Sequence, residues 1–120
     1  MSKKTMVIGA SPNPARYSYK AVIELKNNGH PIVPLGIKKG DIDGVEIENG
    51  LPAHKNIDTI SLYIGPFVQN GYKDYIINLK PRRIIFNPGT ENLEMFDLCE
   101  QNNIEAVEAC TLIMLAGNKY

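Results

Sequence analysis

The sequence predicts an α/β protein in which a five-stranded parallel sheet carries helices on both faces. Short apolar segments alternate with segments of helical periodicity along the whole chain of 120 residues, as expected for parallel strands joined by crossover helices. Glycine, proline and asparagine concentrate between these segments, where they favour turns and helix ends. The chain therefore reads as a series of right-handed βαβ units.

The series begins with a buried strand at residues 4–9, which ends on a glycine. A helix follows within residues 14–28 and stops at Asn28-Gly29, since glycine tolerates the left-handed conformation beyond a helix end. Residues 31–35 form the second strand, and its two prolines make it an edge or irregular strand. The predicted inner face of the helix consists of Ser18, Ala21, Val22 and Leu25.

The stretch at residues 36–55 is the least regular part of the chain, with turn-forming residues throughout and a short hairpin arm at 45–47. The third strand is predicted at residues 59–64. A helix at 68–79 follows, because its apolar residues recur along one stripe, although Gly71 weakens its first turn.

The last part of the chain repeats the alternation. Residues 83–86 form the fourth strand, and Thr90 is predicted to cap a helix that runs to about Gln101. Residues 104–108 form the fifth strand, and residues 110–116 form a short closing helix. We expect a Rossmann-like three-layer sandwich with the strand order 3-2-1-4-5.

The composition, with 43% hydrophobic and 22% charged residues, is ordinary for a globular protein. No apolar run approaches the roughly 20 residues that cross a membrane, and the N-terminus lacks the apolar core of a signal peptide. Cys99 and Cys110 have no metal-ligand spacing, and His30 and His54 lie far apart. We expect one cytoplasmic domain over residues 1–120, without a metal, a membrane or nucleic acid as partner.

The neutral net charge conceals a strong polarity along the chain. The first forty residues carry seven basic residues against one acidic residue, a net charge of +6. The remaining eighty carry six against twelve, a net charge of −6. The basic third surrounds the turn after the first strand, so that turn is the expected site for an anionic ligand.

The composition of this turn, Gly-Ala-Ser-Pro-Asn-Pro-Ala-Arg at 9–16, suits a phosphate. Gly9 allows a tight exit from the strand, and Ala10 and Ser11 let the backbone approach a ligand closely. The following helix offers unpaired N–H groups and a partial positive charge. Arg16 adds a planar fork of donors. Ligands of open α/β sheets bind at this carboxyl edge of the strands.

The turn differs from the dinucleotide fingerprint G-x-G-x-x-G, because positions 9, 11 and 14 are Gly, Ser and Pro. The second strand also ends without the acidic residue that holds a ribose 2′-hydroxyl. Lys38 and Lys39 follow it instead, and they suit a nucleotide with an additional ribose phosphate, either NADP or coenzyme A. The phosphate-binding loop G-x-x-x-x-G-K-[ST] is absent from the sequence.

Residues 7–18 and 29–35 resemble the small stand-alone CoA-binding proteins, whose Rossmann-like domain is similar to the CoA-binding domain of the succinyl-CoA synthetase alpha subunit. Residues 42–44 match the family's Ile-x-Gly, and 63–67 are similar to the aromatic-proline segment that ends its third strand. Cys110 lies near the position of a cysteine common in the family.

The resemblance implies that coenzyme A or an acyl-CoA is the ligand. It implies phosphate contacts from the first turn, an adenosine end near Lys38, and a cleft wall after the third strand. The cofactor-binding residues expected on this basis are Gly9, Ala10, Ser11, Asn13, Arg16, Ser18, Lys38, Ile64, Gly65 and Pro66.

Two segments depart from the family pattern. Gly36-Ile37 replaces Asn-Pro after the second strand, and residues 86–89 read Phe-Asn-Pro-Gly where the family has Trp-x-Gln-x-Gly. The phosphorylated histidine of the synthetase belongs to a further domain, so the resemblance implies non-catalytic binding and no reaction.

Other functions remain open on the sequence: a small NADP-dependent reductase, or an accessory subunit of an acyl-CoA ligase. A homodimer or an acyl-CoA enzyme as partner also remains open. A third hypothesis is an interaction domain that uses the acidic C-terminal part of the chain after Arg83, in which only Lys119 is basic. Its acidic residues are Glu91, Glu94, Asp97, Glu100, Glu105 and Glu108.

Overall fold

The structure, a computed structural model, describes residues 2–120. Its main sheet consists of β1 (Thr5–Ile8), β2 (Ile32–Leu35), β5 (Thr59–Leu62), β6 (Arg83–Phe86) and β7 (Glu105–Glu108). Two short strands, β3 (Asp41–Ile42) and β4 (Val45–Glu46), form a separate antiparallel arm. The helices are α1 (Tyr17–Asn27), α2 (Pro66–Gln69), α3 (Lys73–Leu79), α4 (Leu93–Gln101) and α5 (Thr111–Ala116).

The main sheet has the order β2-β1-β5-β6-β7, and every neighbouring pair is parallel. Beyond β2, a parallel bridge joins Leu35 to Glu48. With the Glu48 segment counted as the third element, the order reads 3-2-1-4-5-6, and its first five elements follow the predicted 3-2-1-4-5 pattern. The strand predicted as third, at 59–64, is β5, which pairs with β1 on the side opposite β2. The α/β Rossmann-like fold class is confirmed, and winding reverses at β1.

Helices cover both faces of the sheet, and β1 shows how its side chains are shared between them. Met6 and Ile8 pack on one face with residues of α3 and α4, whereas Val7 packs on the other face with residues of α1 and α5. Alternation with a period of two is the geometry of a strand. All residues of β1, β5 and β6 are buried, as in parallel sheets covered on both sides.

The predicted inner face of the first helix is confirmed, because the buried residues of α1 are Ser18, Ala21, Val22 and Leu25. The helix predicted at 68–79 is wrong as a single element, since a turn at residues 70–72 separates α2 from α3. Gly71 lies in that turn. Sequence periodicity did not register the turn, because Tyr72 in the turn packs on the same core as Tyr75 and Ile76 of α3 and so continues their apolar stripe.

The predicted helix cap at Thr90 is also wrong. Asn92 caps α4, and its Oδ1 accepts a hydrogen bond from the Met95 N–H at 3.3 Å. The hydroxyl of Thr90 donates instead to the carbonyl of Asn87 at 2.8 Å, so it stabilises the preceding turn. Within residues 2–120, no helix is long and apolar enough to cross a membrane.

Candidate functional site

A cleft of about 450 Å³ opens at the carboxyl ends of β1, β2 and β5. This is the point where the winding of the sheet reverses, which is the usual ligand position in open α/β sheets. The residues that line the cleft are Gly9, Ala10, Ser11, Asn13, Arg16, Tyr17, Ser18, Gly36, Ile37, Lys38, Tyr63, Ile64, Val68 and Tyr72.

The cleft brings together eight of the ten residues that the sequence singled out. They are Gly9, Ala10, Ser11, Asn13, Arg16, Ser18, Lys38 and Ile64. Gly65 and Pro66 do not line it. Gly65 precedes α2 and Pro66 is its first residue, whereas Val68, further along α2, does line the cleft. Contact of these residues with a ligand stays a prediction.

The floor of the cleft is formed by backbone at the ends of three strands. The N–H groups of Gly9 and Ala10 both donate to the carbonyl of Leu35, at 2.9 and 3.0 Å. Gly9 has φ +98°, and a β-carbon there would lie 2.9 Å from the carbonyl oxygen of Tyr63. Only glycine satisfies both the dihedral and the close approach. The strand end is therefore fixed with its backbone facing the cleft.

The side chains of Ser11 and Asn13 shape the turn between β1 and α1. Ser11 Oγ accepts a hydrogen bond from the Asn13 N–H at 3.1 Å, and Asn13 Oδ1 accepts one from the Ala15 N–H at 3.0 Å. Such side-chain bonds to the backbone two residues on are typical of turns. The Arg16 N–H donates to the Asn13 carbonyl at 3.1 Å. Together these bonds set the direction in which α1 starts.

The positive charge of the cleft is not neutralised by neighbouring carboxylates. Arg16 precedes α1 and makes no side-chain capping bond, and the first turn of the helix contains no acidic residue. Within the described part of the chain, neither Arg16 nor Lys38 belongs to an ion pair, whereas Lys26 pairs with Asp43 at 3.1 Å. Two cations and a helix N-terminus therefore face one cleft.

Large apolar side chains stand at the mouth of the cleft. Ile37 is 87% exposed and Tyr17 is 69% exposed. The Lys20 ammonium lies over the Tyr17 ring, 5.3 Å from its centroid. Val68 is half exposed on the opposite wall. Exposed apolar groups beside polar ones are characteristic of binding sites for ligands that have an apolar part.

Tyr63, which lines the cleft, has a buried hydroxyl. Across residues 2–120, this hydroxyl is the one buried side-chain oxygen or nitrogen without a hydrogen-bond partner. Burial raises the pKa of Tyr63 to about 12, so the phenol stays protonated at neutral pH. An unmatched buried hydroxyl costs about 1–3 kcal/mol.

Next to Tyr63, a buried polar network ties the strand ends to α5. The side-chain amide of Asn87 donates to the Leu62 carbonyl at 2.7 Å and to Ser61 Oγ at 2.9 Å. Its Oδ1 accepts a hydrogen bond from the Thr111 N–H at 2.8 Å. Asn87 thus makes bonds with β5 and with the first residue of α5, and it holds these ends in place.

Gln69 joins the loops on the α2 side of the cleft. Its side chain is fully buried, and its amide donates to the carbonyls of Ile64 and Thr90 at 2.9 and 2.8 Å. Its Oε1 accepts a hydrogen bond from Asn92 Nδ2 at 2.9 Å. Every polar atom of this buried side chain is matched, so Gln69 determines where the Ile64 wall lies.

Sequence reasoning did not assign six of the lining residues to the site. Tyr72 packs on the core and also lines the cleft. Gly36 and Ile37 could have been found from their position directly after the second strand, because ligands bind at the carboxyl ends of strands in this fold. The full set is Tyr17, Gly36, Ile37, Tyr63, Val68 and Tyr72.

The two cysteines lie outside the cleft lining. Cys99 is buried in α4, and burial raises the pKa of its thiol to about 11, which makes it unreactive at neutral pH. Cys110 is half-buried just before α5. In residues 2–120, no three His, Cys, Asp or Glu side chains come together in a way that could hold a metal ion.

The family model described as CoA binding domain matches residues 3–116 of this chain. A crystal structure of an uncharacterized protein shares 45% sequence identity and a TM-score of 0.98, over 100% of this chain and 99% of that one. A structure from Thermus thermophilus has 17% identity and a TM-score of 0.86, over 99% of this chain and 91% of that one.

A larger protein contains the same fold. The dinucleotide-forming acetyl-coenzyme A synthetase 1 of Ca. Korarchaeum cryptofilum, in complex with phosphate and ADP, has a TM-score of 0.73 at 14% identity. The alignment covers 88% of this chain and 25% of that one. No curated protein matches this chain.

Proposed function

The chain belongs to the CoA-binding domain family, and we propose that it binds coenzyme A or an acyl-CoA in the cleft at the carboxyl ends of β1, β2 and β5. We further propose that residues 1–120 act as one binding domain with no catalysis of its own. The observation that carries the proposal is the pair of cations, Arg16 and Lys38, that line the cleft without a carboxylate partner in the described residues.

The diphosphate of the ligand is assigned to the turn after β1. The first turn of α1 has N–H groups without intrahelical partners, and its dipole favours an anion. Arg16 precedes that turn and lines the cleft, where its planar guanidinium suits a phosphate. The small residues Ala10 and Ser11 leave the backbone accessible. This assignment keeps the ligand's charge beside the basic groups of the cleft.

The adenosine end is assigned to the segment after β2. Lys38 lines the cleft and is the residue proposed for the ribose phosphate that distinguishes coenzyme A from its dephosphorylated form. Ile37 is almost fully exposed beside it, and Tyr17 stands exposed on the α1 side. These two side chains offer the adenine ring apolar surface that is otherwise left in water.

The types of residue that line the cleft support a binding role. In the part of the chain that the structure describes, the cleft is lined by no aspartate, glutamate, histidine or cysteine. Histidine and the carboxylates are the side chains that most often act as general acids and bases, and without one of them in the lining, the serines of the cleft lack an adjacent base that would activate them as nucleophiles. The proposed function is therefore to hold the nucleotide for another protein or to sense it.

Isothermal titration calorimetry with CoA, acetyl-CoA, NADPH and ATP tests the proposal. Arg16→Ala should weaken CoA binding by about tenfold, since a charge-assisted contact to phosphate contributes on the order of 1.5 kcal/mol. Lys55→Ala is the matched control, because it removes the same charge from an exposed loop outside the cleft. Absence of saturable CoA binding would refute the proposal, and binding of NADPH alone would favour the reductase.

A further inference from the structure

One edge of the main sheet is covered by the chain itself. At the β2 edge, the Glu48 N–H donates to the Pro34 carbonyl and the Gly36 N–H donates to the Glu48 carbonyl, both at 2.9 Å. Pro34 has no N–H to offer another strand. At the opposite edge, and within residues 2–120, β7 pairs with β6 alone. The β7 edge is therefore the one that can accept an additional strand.

The ladder between β6 and β7 determines which backbone groups point outward. The N–H groups of Glu105 and Ala109 donate to carbonyls of the β6 segment, at 3.0 and 3.4 Å. Alternate residues of a parallel strand face the same neighbour. Ala106 and Glu108 consequently direct their N–H and carbonyl groups away from the sheet. Both residues are exposed, so two donors and two acceptors are accessible along this edge.

A groove of about 400 Å³ lies beside these groups, between β7 and α4. Its lining is partly apolar and partly acidic: Phe96, Glu100, Ile104, Ala106 and Glu108. Glu100 and Glu108 belong to no ion pair in the described residues. A lysine or arginine side chain matches such a groove, because its stem is apolar and its head is positive.

The charge of β7 opposes pairing between two copies of this chain. An antiparallel copy would bring its own β7, with the same two glutamates, alongside Glu105 and Glu108, and like charges brought together across a strand pair are destabilising. A basic strand would instead be attracted to β7. The surrounding segment strengthens this attraction, since residues 91–108 contain six acidic residues and no basic one.

We propose that the β7 edge docks an extended, lysine- or arginine-rich peptide segment of a partner protein as a further strand of the sheet. Backbone hydrogen bonds to Ala106 and Glu108 supply the pairing, as in other cases of strand addition. Alternate basic side chains of the peptide contact Glu100 and Glu108. The cleft is separated from this edge by β6, so docking and nucleotide binding occupy different places on the sheet.

Fluorescence anisotropy with two labelled probe peptides tests the proposal. The first peptide is Lys-Val-Lys-Val-Lys-Val, and the second is the same sequence with a methyl group on every backbone amide nitrogen, which has the same charge but no amide N–H for a ladder. The first should bind saturably and at least about tenfold more tightly than the second. Equal binding of the two peptides would overturn strand addition, and so would a lack of saturable binding of the first.

Variants locate the binding on the protein. Ala106→Pro removes an outward N–H that the sheet itself does not use, and the double variant Glu100→Lys with Glu108→Lys reverses the charge of the groove. Each variant should lower the affinity of the protein for the first peptide by about tenfold. Glu24→Lys with Glu46→Lys is the control, since it makes the same charge change at exposed residues outside the groove.

An equal loss of peptide binding in the control variant would overturn the proposal, because it would show attraction by net charge alone. Sedimentation of the protein alone tests whether a second copy of the chain, in place of a peptide, pairs with the β7 edge. A concentration-dependent dimer that Ala106→Pro dissociates would also overturn the peptide proposal. Circular dichroism of each variant verifies folding, and the charge-reversal variant remains informative if Ala106→Pro does not fold.

Discussion

Gly36 lies so close to Ala10 that a β-carbon at position 36 would come within 2.2 Å of the Ala10 carbonyl oxygen. The contact joins the segment after β2 to the turn after β1, and both residues line the cleft. The family's asparagine, expected at this position, would not fit against the turn as it stands here. The departure from the family pattern therefore has a steric reason.

Gly36→Ala should consequently disturb the cleft and the fold together. The backbone of Ala10 must move to admit the methyl group, and overpacking of this kind costs about 1–3 kcal/mol. Urea unfolding and CoA titration of the same sample measure both effects. Gly71→Ala is the control, because a β-carbon at Gly71 would meet only the Val68 carbonyl, at 3.8 Å. Unchanged stability and affinity in Gly36→Ala would contradict the contact.

Lys38 and Lys39 are adjacent but differ in their position, because Lys38 lines the cleft and Lys39 does not. Under the proposed function, Lys38→Ala should reduce the preference for CoA over dephospho-CoA by about fivefold, equivalent to roughly 1 kcal/mol. Lys39→Ala should leave that preference unchanged. Calorimetric titration with both ligands gives the ratio for each variant. An equal effect of the two substitutions would indicate general electrostatic attraction in place of a specific contact.

Gln69→Ala should destabilise the protein by about 2–4 kcal/mol, because the part-buried carbonyl of Ile64 and the buried carbonyl of Thr90 both lose their Gln69 donor. Gln69→Glu should be at least as harmful, since a carboxylate would face two carbonyl oxygens. Chemical denaturation measures both variants. Asn70→Ala, at the next and exposed position, serves as the control. A loss below about 1 kcal/mol in Gln69→Ala would show that water replaces the amide.

His30 should make stability depend on pH. Burial, with the nearby charge of Lys3, lowers the pKa of His30 below its usual 6.5. Its Nδ1 accepts a hydrogen bond from the Lys3 N–H at 2.9 Å, and its ring packs on Tyr120 at 4.8 Å between centroids. The folded state therefore prefers the neutral ring. Its contribution is complete above about pH 6.5 and is lost as pH falls through the folded-state pKa.

Unfolding of the wild type and of His30→Gln between pH 5 and 8 measures this contribution. The difference in unfolding free energy between the two proteins should shrink towards acid pH. NMR titration of the ring should give a pKa below that of a model peptide. A difference that grows as pH falls would mean that the protonated ring is the stabilised form, contrary to the burial and the hydrogen bond described.

Much of the fold was predictable because it depends on local pattern. The inner face of α1 is buried as its spacing predicted, and the buried strands follow from short apolar runs. The break between α2 and α3 was not predictable in this way. Gln69, the last residue of α2, donates hydrogen bonds to Ile64 and Thr90, which are 5 and 21 residues away in the sequence, and bonds at such separations leave no periodic signal.

The candidate site likewise has features that depend on local sequence and features that depend on the tertiary structure. By itself, the sequence determined the fold class, the ligand-binding end of the sheet and the basic turn from Gly9 to Arg16, because these depend on residue types that are close in the chain. Only the tertiary structure decided that Tyr63, Gly36 and Val68 share one cleft with that turn. The reason is physical: parallel strands bring their carboxyl ends to one edge, and which loops meet there depends on strand order.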